Sequence, residues 1–244
     1  MTAALAQAEP PARPAFARAE CGGLVTRLNG TRAVLRASGA LWLPASQTLA
    51  AADLHFEKGS SYAARGQMLP PYDTHETLMR LEDEVARLDP SVIVLMGDSF
   101  HDGEAEGRMD PGAAQRIAAL ASGRTFVWIV GNHDEEGPRG LPGEVTYAVE
   151  VETLTLTHEP LPGHKPGEVA GHLHPCARVS AFGRAVRSRS FATDGERMVM
   201  PAFGAFTGGL DVRDRAFAGL FVRPPTPCAL GRNKVHALDW AALI

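Results

Sequence analysis

Aspartate, asparagine and histidine side chains stand at or just after the ends of short apolar runs in this sequence. The runs with their polar endings read TLAAAD, VIVLMGD, FVWIVGNHD, TLTLTHE and EVAGHLH. The candidate ligands in and beside these endings are Asp53, His55, Asp98, Asn132, His158, His172 and His174. Polar side chains just past strand ends converge on one edge of a sheet, and this mixture of oxygen and imidazole donors suits manganese, iron or zinc. The pattern therefore predicts a metal site built from distant segments.

The composition of this donor set favours two ions over one. Two aspartates, one asparagine and four histidines suit a pair of divalent ions that keep positions open for water and substrate. Two such ions, roughly 3.5–4 Å apart, can hold both the attacking and the leaving oxygen of a displacement at phosphorus. The donors therefore predict a pair of ions of the kind that can carry out such a displacement.

The apolar runs that precede the ligands belong to an alternating pattern of strands and helices. LVTRLNGTRAVLRASGALWLP and QTLAAAD are typical of strands, with turns at Asn29-Gly30 and Ser38-Gly39. Strand, helix, strand, helix, strand over residues 48–130 predicts a parallel sheet. We expect mostly strands in the later segments 146–157, 168–171, 178–182, 197–202 and 216–222.

Two helices are expected between the early strands. Residues 73–88 carry leucines and a valine at helical spacing, and Asp73 with Glu76 suits a capping box at the start of that helix. The second helix is expected over residues 111–122, with Asp110 as its N-cap and a proline at its first position.

Length and composition limit the class of protein. The chain has 244 residues, of which 45% are hydrophobic and 21% charged, as in one α/β domain of ordinary composition. We expect a flexible tail over residues 1–20, which makes a poor signal peptide, and a single domain over residues 21–244. No apolar stretch approaches the roughly 18 residues that suggest a transmembrane helix.

Net charge and cysteine content bear on nucleic-acid binding and on the cellular compartment. With a net charge of −4 the molecule as a whole does not attract nucleic acid electrostatically, although individual side chains can still contact phosphates. Three cysteines cannot all pair, and none has C-x-x-C spacing, so we expect free thiols in a reducing compartment, the cytoplasm. Cys176, close behind the GHLHP segment, is interpreted as a half-buried thiol beside the site and not as a ligand.

The ordered motifs D-x-H, GD, GNHD, a lone His and GHxH resemble those of the calcineurin-like metallophosphoesterase superfamily. The resemblance implies an α/β fold of two packed mixed β-sheets flanked by helices, a four-layer sandwich. It also implies a first metal held by Asp53, His55 and His174, a second held by Asn132, His158 and His172, and Asp98 as the bridge. His133 would then be the general acid for the leaving oxygen, with Asp134 orienting its other ring nitrogen.

A narrower resemblance rests on HEP, GHLHP, a downstream GR-x-x-R and PAFGAFTGG. Over about residues 40–222 the chain is similar to the bacterial ligase-associated DNA damage response endonucleases. That similarity implies a manganese-dependent phosphodiesterase that nicks DNA, with ligase, helicase and nuclease partners in repair.

Several residues near the motifs have two open interpretations. His101 in GDSFHD either contacts substrate or supports the bridging aspartate by hydrogen bonding. Arg184, Arg187 and Arg189 either guide phosphates of a single DNA strand or belong to a solvated hairpin. The Gly-rich segment 204–209 is interpreted as a tight packing turn.

Three functions of different classes fit this sequence. The first is a binuclear-metal phosphodiesterase that hydrolyses single-stranded or looped DNA by metal-activated hydroxide. The second is the same chemistry on a small substrate, such as a phosphomonoester or a cyclic nucleotide. The third is a non-catalytic scaffold, which the complete ligand set and His133 disfavour.

Overall fold

A first sheet of eight strands follows the order of the chain. The structure, a computed structural model, describes residues 13–67, 69–181 and 183–244. The strands are β1 (Ala17–Arg18), β2 (Leu24–Leu28), β3 (Thr31–Leu35), β4 (Leu41–Leu43), β5 (Thr48–Ala52), β6 (Val92–Met96), β7 (Thr125–Ile129) and β8 (Glu144–Thr146). Neighbours from β1 to β5 pair antiparallel, and neighbours from β5 to β8 pair parallel. The parallel unit predicted over residues 48–130 is confirmed.

A second sheet of nine strands comes from the later part of the chain. Its strands are β9 (Ala148–Val151), β10 (Leu154–Thr157), β11 (Glu168–Ala170), β12 (Pro175–Ala181), β13 (Arg184–Thr193), β14 (Met198–Val199), β15 (Leu210–Asp211), β16 (Thr226–Leu230) and β17 (Val235–Ala237). Their order is β15-β12-β13-β14-β11-β10-β9, with β16 beside β13 and β17 beside β16. Parallel pairs such as β10 with β11 mix with antiparallel pairs such as β12 with β13.

Helices lie mainly between the early strands. They are α1 (Lys58–Ala64), α2 (Asp73–Leu88), α3 (Ala105–Arg108) and α4 (Pro111–Ala121), with 3₁₀ helices at Arg215–Phe217 and Trp240–Ala242. The prediction of α2 is confirmed at both ends, and Asp110 caps α4 as expected by accepting from the N–H groups of Gly112 and Ala113. The capping box of α2 is wrong. The N-cap is Tyr72 without a side-chain cap, and the Asp73 carboxylate accepts from Gly59 N at 2.9 Å.

Alternating side chains give the first sheet two buried faces. On β5, Ala50 and Ala52 belong to the core between the two sheets, and Leu49 and Ala51 to the core under the helices. The outer face of the second sheet is covered by a small cluster in which Trp240 and Leu243 pack near Ala192. The predicted fold of two packed mixed sheets with helices is therefore confirmed. Short 3₁₀ segments stand where the fourth layer was expected.

Two boundaries differ from the sequence-based expectation. Ala17–Arg18 pair with β2, so the first sheet begins inside the segment expected to be a flexible tail, whose residues 1–12 lie outside the described part. Residues 216–222 were expected as a strand, but they begin within a 3₁₀ helix and continue as turns. The single domain over residues 21–244 stays a prediction. Within the described residues, no helix is long and apolar enough to cross a membrane.

Candidate metal centre

The parallel strands deliver the candidate ligands to one edge of the packed sheets. Asp53 directly follows β5, Asp98 is two residues past β6, and Asn132 is three residues past β7. His158 directly follows β10, and His172 is two residues past β11. The carboxyl ends of parallel strands share an edge, which is where open α/β sheets bind ligands. Residues up to 121 positions apart in the sequence, Asp53 and His174, are thereby brought together.

One group of ligand atoms comes from Asp53, His55 and His174. Their donor atoms all lie within 4.8 Å of one another. His174 Nε2 is 3.3 Å from Asp53 Oδ1 and 3.4 Å from His55 Nε2. Ligands held 2.0–2.2 Å from one ion stand roughly 3.0–3.4 Å apart, so these atoms can share an ion.

The second group lies on the other side of Asp98. His158 Nε2 is 3.4 Å from Asp98 Oδ1, 3.1 Å from Asn132 Oδ1 and 3.2 Å from His172 Nδ1. The other oxygen, Asp98 Oδ2, lies 3.9 Å from His55 Nε2 in the first group. Asp98 therefore offers one oxygen to each group, which is the arrangement that a bridging carboxylate requires. The seven predicted ligands are all brought together.

The backbone at the ligands is strained. Asp53, His55, Asp98, His172 and His174 all have positive φ, between 45° and 66°. A left-handed conformation costs a residue with a side chain roughly 1–2 kcal/mol, and such residues concentrate at functional sites. Backbone hydrogen bonds hold the strain in place, for example from Asp53 N to Gly97 O at 3.2 Å.

Glycines beside the ligands allow the loops to approach closely. A Cβ on Gly97, whose φ is +72°, would lie 2.3 Å from His158 Cγ. A Cβ on Gly131 would lie 2.3 Å from Asp98 N. The G in the GD and GNHD motifs is therefore required because a neighbouring loop occupies the space of a side chain.

The protonation of the histidines is set by burial and by the carboxylates. Burial, followed by the charges of His174 and His133, lowers the pKa of His55 to about 2, so its imidazole is neutral and free to bind an ion. Burial opposes the charged form of His174 as well, but the hydrogen bond and charge of Asp53 outweigh it and raise that pKa. His158 Nδ1 lies 3.3 Å from Met96 O, which leaves Nε2 to face the site. The donor set thus fits a pair of divalent ions.

His133 lies at the open side of the ligand cluster. Its Nε2 is 4.0 Å from Asp98 Oδ2, and its side chain is 40% exposed. Its Nδ1 is 2.8 Å from His101 O, so that carbonyl accepts the Nδ1 proton and orients the ring. The ring of His101 stacks on that of His133, with centroids 5.4 Å apart. Both interpretations of His101 stay open, and the structure adds a backbone role for it.

Asp134 does not orient His133, contrary to the sequence-based expectation. Its buried carboxylate accepts from the backbone N–H groups of Gly131, Asp98, Ser99 and Phe100. Burial raises its pKa to about 6, although the bonds from Gly131 and Phe100 act in the opposite direction. The side chain instead ties the turn that carries Asn132 to the turn that carries Asp98. Asp134 cannot take the expected role because the chain bends here and turns its side chain towards the backbone of the neighbouring loop.

The three candidate arginines do not form one patch. Arg187 and Arg189 lie on the same face of β13, and Arg184 lies on the opposite face because successive strand residues alternate. Arg184 pairs with Ala181, five residue pairs from the Cys176–Arg189 pair, so it is about 17 Å farther from the ligand end of the hairpin. Arg189 donates to Ala202 O at 2.7 Å, and Arg187 donates to Gly209 O.

Sequence reasoning missed the surroundings of His101. Tyr62 on α1 lies 5.8 Å from the His101 ring, and Lys58 Nζ lies 6.0 Å from the Tyr62 ring. On the other side of His133 is a cavity of about 680 Å³, with walls that include Asp102, Glu104, Glu106, Glu135 and Glu136. The only hint in the sequence was the short distance from these residues to the ligands.

Cys176 is 1% exposed, so the expectation of a half-buried thiol is wrong.

The family profile described as calcineurin-like phosphoesterase matches residues 47–198, more than half of the chain. This chain belongs to the calcineurin-like phosphoesterase family. The matched part contains all seven candidate ligands and His133. Because this family uses divalent metals and the ligand groups are present, the chain is a metal-dependent phosphoesterase.

Two solved structures are similar to this chain. The nuclease MPE from Pseudomonas putida is 28% identical, with a TM-score of 0.67, and the match covers 88% of this chain and 100% of that one. Yfce, a phosphoesterase from E. coli, is 17% identical, with a TM-score of 0.39, and the match covers 78% of this chain and 96% of that one. No curated protein matches the chain.

Proposed function

We propose that this phosphoesterase is a binuclear-metal endonuclease that hydrolyses phosphodiester bonds of single-stranded or looped DNA. The observation that carries a nucleic-acid substrate is the similarity to the nuclease MPE, which extends over 88% of this chain at 28% identity. The choice of DNA rests on the sequence resemblance. The two-metal chemistry is supported by Asp98, whose two oxygens face separate groups of nitrogen and oxygen donors.

In this proposal the position of each side chain sets its role in the reaction. Asp53, His55 and His174 would hold one ion, Asn132, His158 and His172 would hold the other, and Asp98 would contribute to both. Such ions, when bound, would supply Lewis-acid chemistry at the phosphoryl group. His133 transfers a proton from Nε2 to the leaving oxygen, since its Nδ1 is bonded to the His101 carbonyl. Asp134 keeps the two ligand turns in register through its backbone bonds.

Manganese is the proposed native ion. Carboxylate and amide oxygens suit it, and imidazole is an acceptable ligand, whereas no thiolate stands among the candidate ligands to favour a softer ion. Protein stripped by a chelator and reloaded with one metal at a time tests this. We expect manganese to restore the most activity, with iron and zinc less effective, and a clear preference for zinc contradicts the assignment.

The decisive substrate experiment uses closed circular single-stranded DNA, because a circle has no ends for an exonuclease. We expect the manganese-loaded protein to linearise and then fragment the circle, and to cut relaxed duplex much more slowly. Parallel reactions with a nitrophenyl diester and a nitrophenyl monoester measure the preference for diesters. Intact circles together with rapid monoester hydrolysis contradict the proposal.

A small phosphoester is the second candidate substrate. The cavity beside His133 has a volume of about 680 Å³, within the usual range for small-molecule sites, and its acidic walls repel an extended polyanion. The same panel of substrates separates the two candidates. A cyclic nucleotide or a monoester that is hydrolysed far faster than DNA supports the second.

The biological setting is proposed from the sequence resemblance alone. We propose a role in DNA repair in the cytoplasm, with functional links to a ligase, a helicase and a nuclease. Co-purification of the full chain with each partner, with and without DNA, tests for physical contact.

A further inference from the structure

A second cavity, of about 470 Å³, is lined with arginines from distant parts of the chain. The guanidinium groups come from Arg36, Arg80, Arg87, Arg189 and Arg232. Arg36 is neutralised by Glu84, whose Oε2 accepts from its Nε at 2.7 Å. The remaining four have no salt bridge to a carboxylate among the residues that the structure describes. The nearby counter-charges are Asp83 on the cavity wall and Glu76 close to Arg80.

Arg80 and Arg189 converge although they carry the same charge. Arg189 Nη1 donates to Ala202 O at 2.7 Å, to Phe203 O at 3.3 Å and to Gly204 O at 3.4 Å. Arg80 also donates to Phe203 O, and its guanidinium lies 5.5 Å from the Phe203 ring. Burial, followed by the charge of Arg80, lowers the pKa of Arg189 to about 10. Two cations that share neutral carbonyls have no ion-paired carboxylate between them in the described part of the chain, and an anion bound beside them would neutralise their charge.

One side of this arginine-lined cavity is linked to the metal centre through the backbone of residues 202–204. Phe203 N donates to Ala52 O at 2.7 Å, and Gly204 N donates to Asp53 O at 3.1 Å. The segment that accepts the arginine bonds therefore runs beside β5 and the first ligand, about one strand spacing of 4.8 Å away. Arg80 and Arg189 also line a smaller hollow of about 140 Å³ with Glu76 and residues 204–207. The cavity therefore places arginines beside the segment that is bonded to β5 and to Asp53.

We propose that the arginine-lined cavity binds a backbone phosphate of the DNA strand whose scissile phosphodiester lies at the metal centre. The inference rests on the proposed endonuclease function and adds a strand-binding site to it. A guanidinium fork fits phosphate oxygens, and several arginines around one cavity suit a backbone phosphate better than a base.

Arg87 and Arg232 allow a test that spares the fold. Both are exposed cavity residues, so Arg87→Ala combined with Arg232→Ala removes two charges without opening the core. The control is Arg27→Ala with Arg32→Ala, an exposed pair on β2 and β3 that removes the same charge elsewhere. Melting temperature, metal content and hydrolysis of a nitrophenyl diester check that each variant keeps an intact metal centre.

The readout is binding of a fluorescent twelve-nucleotide thymidine strand, measured by anisotropy over a range of salt concentrations. A His133→Ala background with the metals bound slows cleavage of the strand during the measurement. We expect the cavity variant to bind about tenfold more weakly than the control, as for two lost ion pairs at the exposed mouth of a site. Its log–log salt dependence should be less steep by about 0.7 per lost phosphate contact.

The outcomes separate this inference from the proposed function. If DNA binds the cavity variant and the control with the same affinity and salt slope, the strand-site inference is wrong and the proposed endonuclease function is unaffected. A His133-containing protein that neither binds nor cuts single-stranded DNA contradicts the endonuclease function, and the strand site with it. A third arm titrates inorganic phosphate at constant ionic strength. If phosphate raises the melting temperature only when Arg87 and Arg232 are present, and strand affinity is unchanged, the cavity is a free-anion site and the inference is wrong.

Discussion

Replacing Asp134 by alanine should destabilise the metal centre as a whole and not merely impair His133. In the structure this carboxylate forms no hydrogen bond or ion pair with the His133 ring, whose Nδ1 is bonded to His101 O. It accepts four backbone N–H groups at 2.8–3.2 Å, those of Gly131, Asp98, Ser99 and Phe100. The substitution leaves these donors without their acceptor in a buried place.

The expected magnitude follows from the number of orphaned donors. A buried donor left unsatisfied costs about 1–3 kcal/mol, so four would cost roughly 4–12 kcal/mol if nothing relaxed. Water that enters the vacated space satisfies some of these N–H donors, and the desolvation cost of burying the Asp134 carboxylate is removed. We therefore expect a loss of about 3 kcal/mol in the free energy of unfolding. In a chain of this size that corresponds to a fall of about 6–12 °C in melting temperature.

The assay is thermal unfolding of the full chain in excess chelator, so that loss of metal does not add to the effect. Asp110→Ala is the matched control, since this aspartate also accepts two backbone N–H groups but lies at an exposed helix start. Loss of such a cap costs about 1 kcal/mol, or about 2–4 °C here. With manganese present, Asp134→Ala should lose activity on DNA and on a nitrophenyl diester alike.

The contrary result would be a normal melting temperature with a loss confined to DNA cleavage. That pattern is expected if Asp134 acts only through the acid His133, because a nitrophenyl group leaves without a proton. It would refute the assignment of Asp134 to the backbone of the ligand turns.

Three further predictions test the site and the core. Asp98→Ala should lower the metal content from two ions per chain towards one or none and abolish hydrolysis, while the melting temperature in chelator changes little; two retained ions contradict the bridge. His133→Ala should slow DNA cleavage about 10²–10⁴-fold but spare a nitrophenyl diester, and equal losses on both would instead indicate charge stabilisation or metal placement. In the native protein a disulfide-exchange reagent should modify exposed Cys21 and leave buried Cys176 and Cys228 untouched, since burial raises the pKa of both thiols, that of Cys228 to about 12. Rapid loss of all three thiols before unfolding would contradict the packing of the second sheet.

The sequence by itself determined the candidate metal ligands and the parallel core. A ligand needs a particular donor atom, and a buried parallel strand needs a continuous apolar run, so both requirements appear directly as residue types. Asp53, Asp98 and Asn132 could be assigned because each stands where such a run ends, and parallel strands end at one edge. The helix over residues 73–88 was readable for a similar reason, since its apolar face repeats with the helical period.

Tertiary structure decided what the polar neighbours of these ligands contact. Asp73 resembled a cap and Asp134 a partner for His133, yet each carboxylate bonds a backbone N–H of a separate segment. Arg184 and Arg189 stand five residues apart in one strand, but pleating places them on opposite faces. A short polar side chain can satisfy its hydrogen bonds locally or across the fold at similar energy, so its sequence context does not select the partner. Only the packing of distant loops selects the partner. Tertiary packing likewise brings Arg80 and Arg189 to the same cavity.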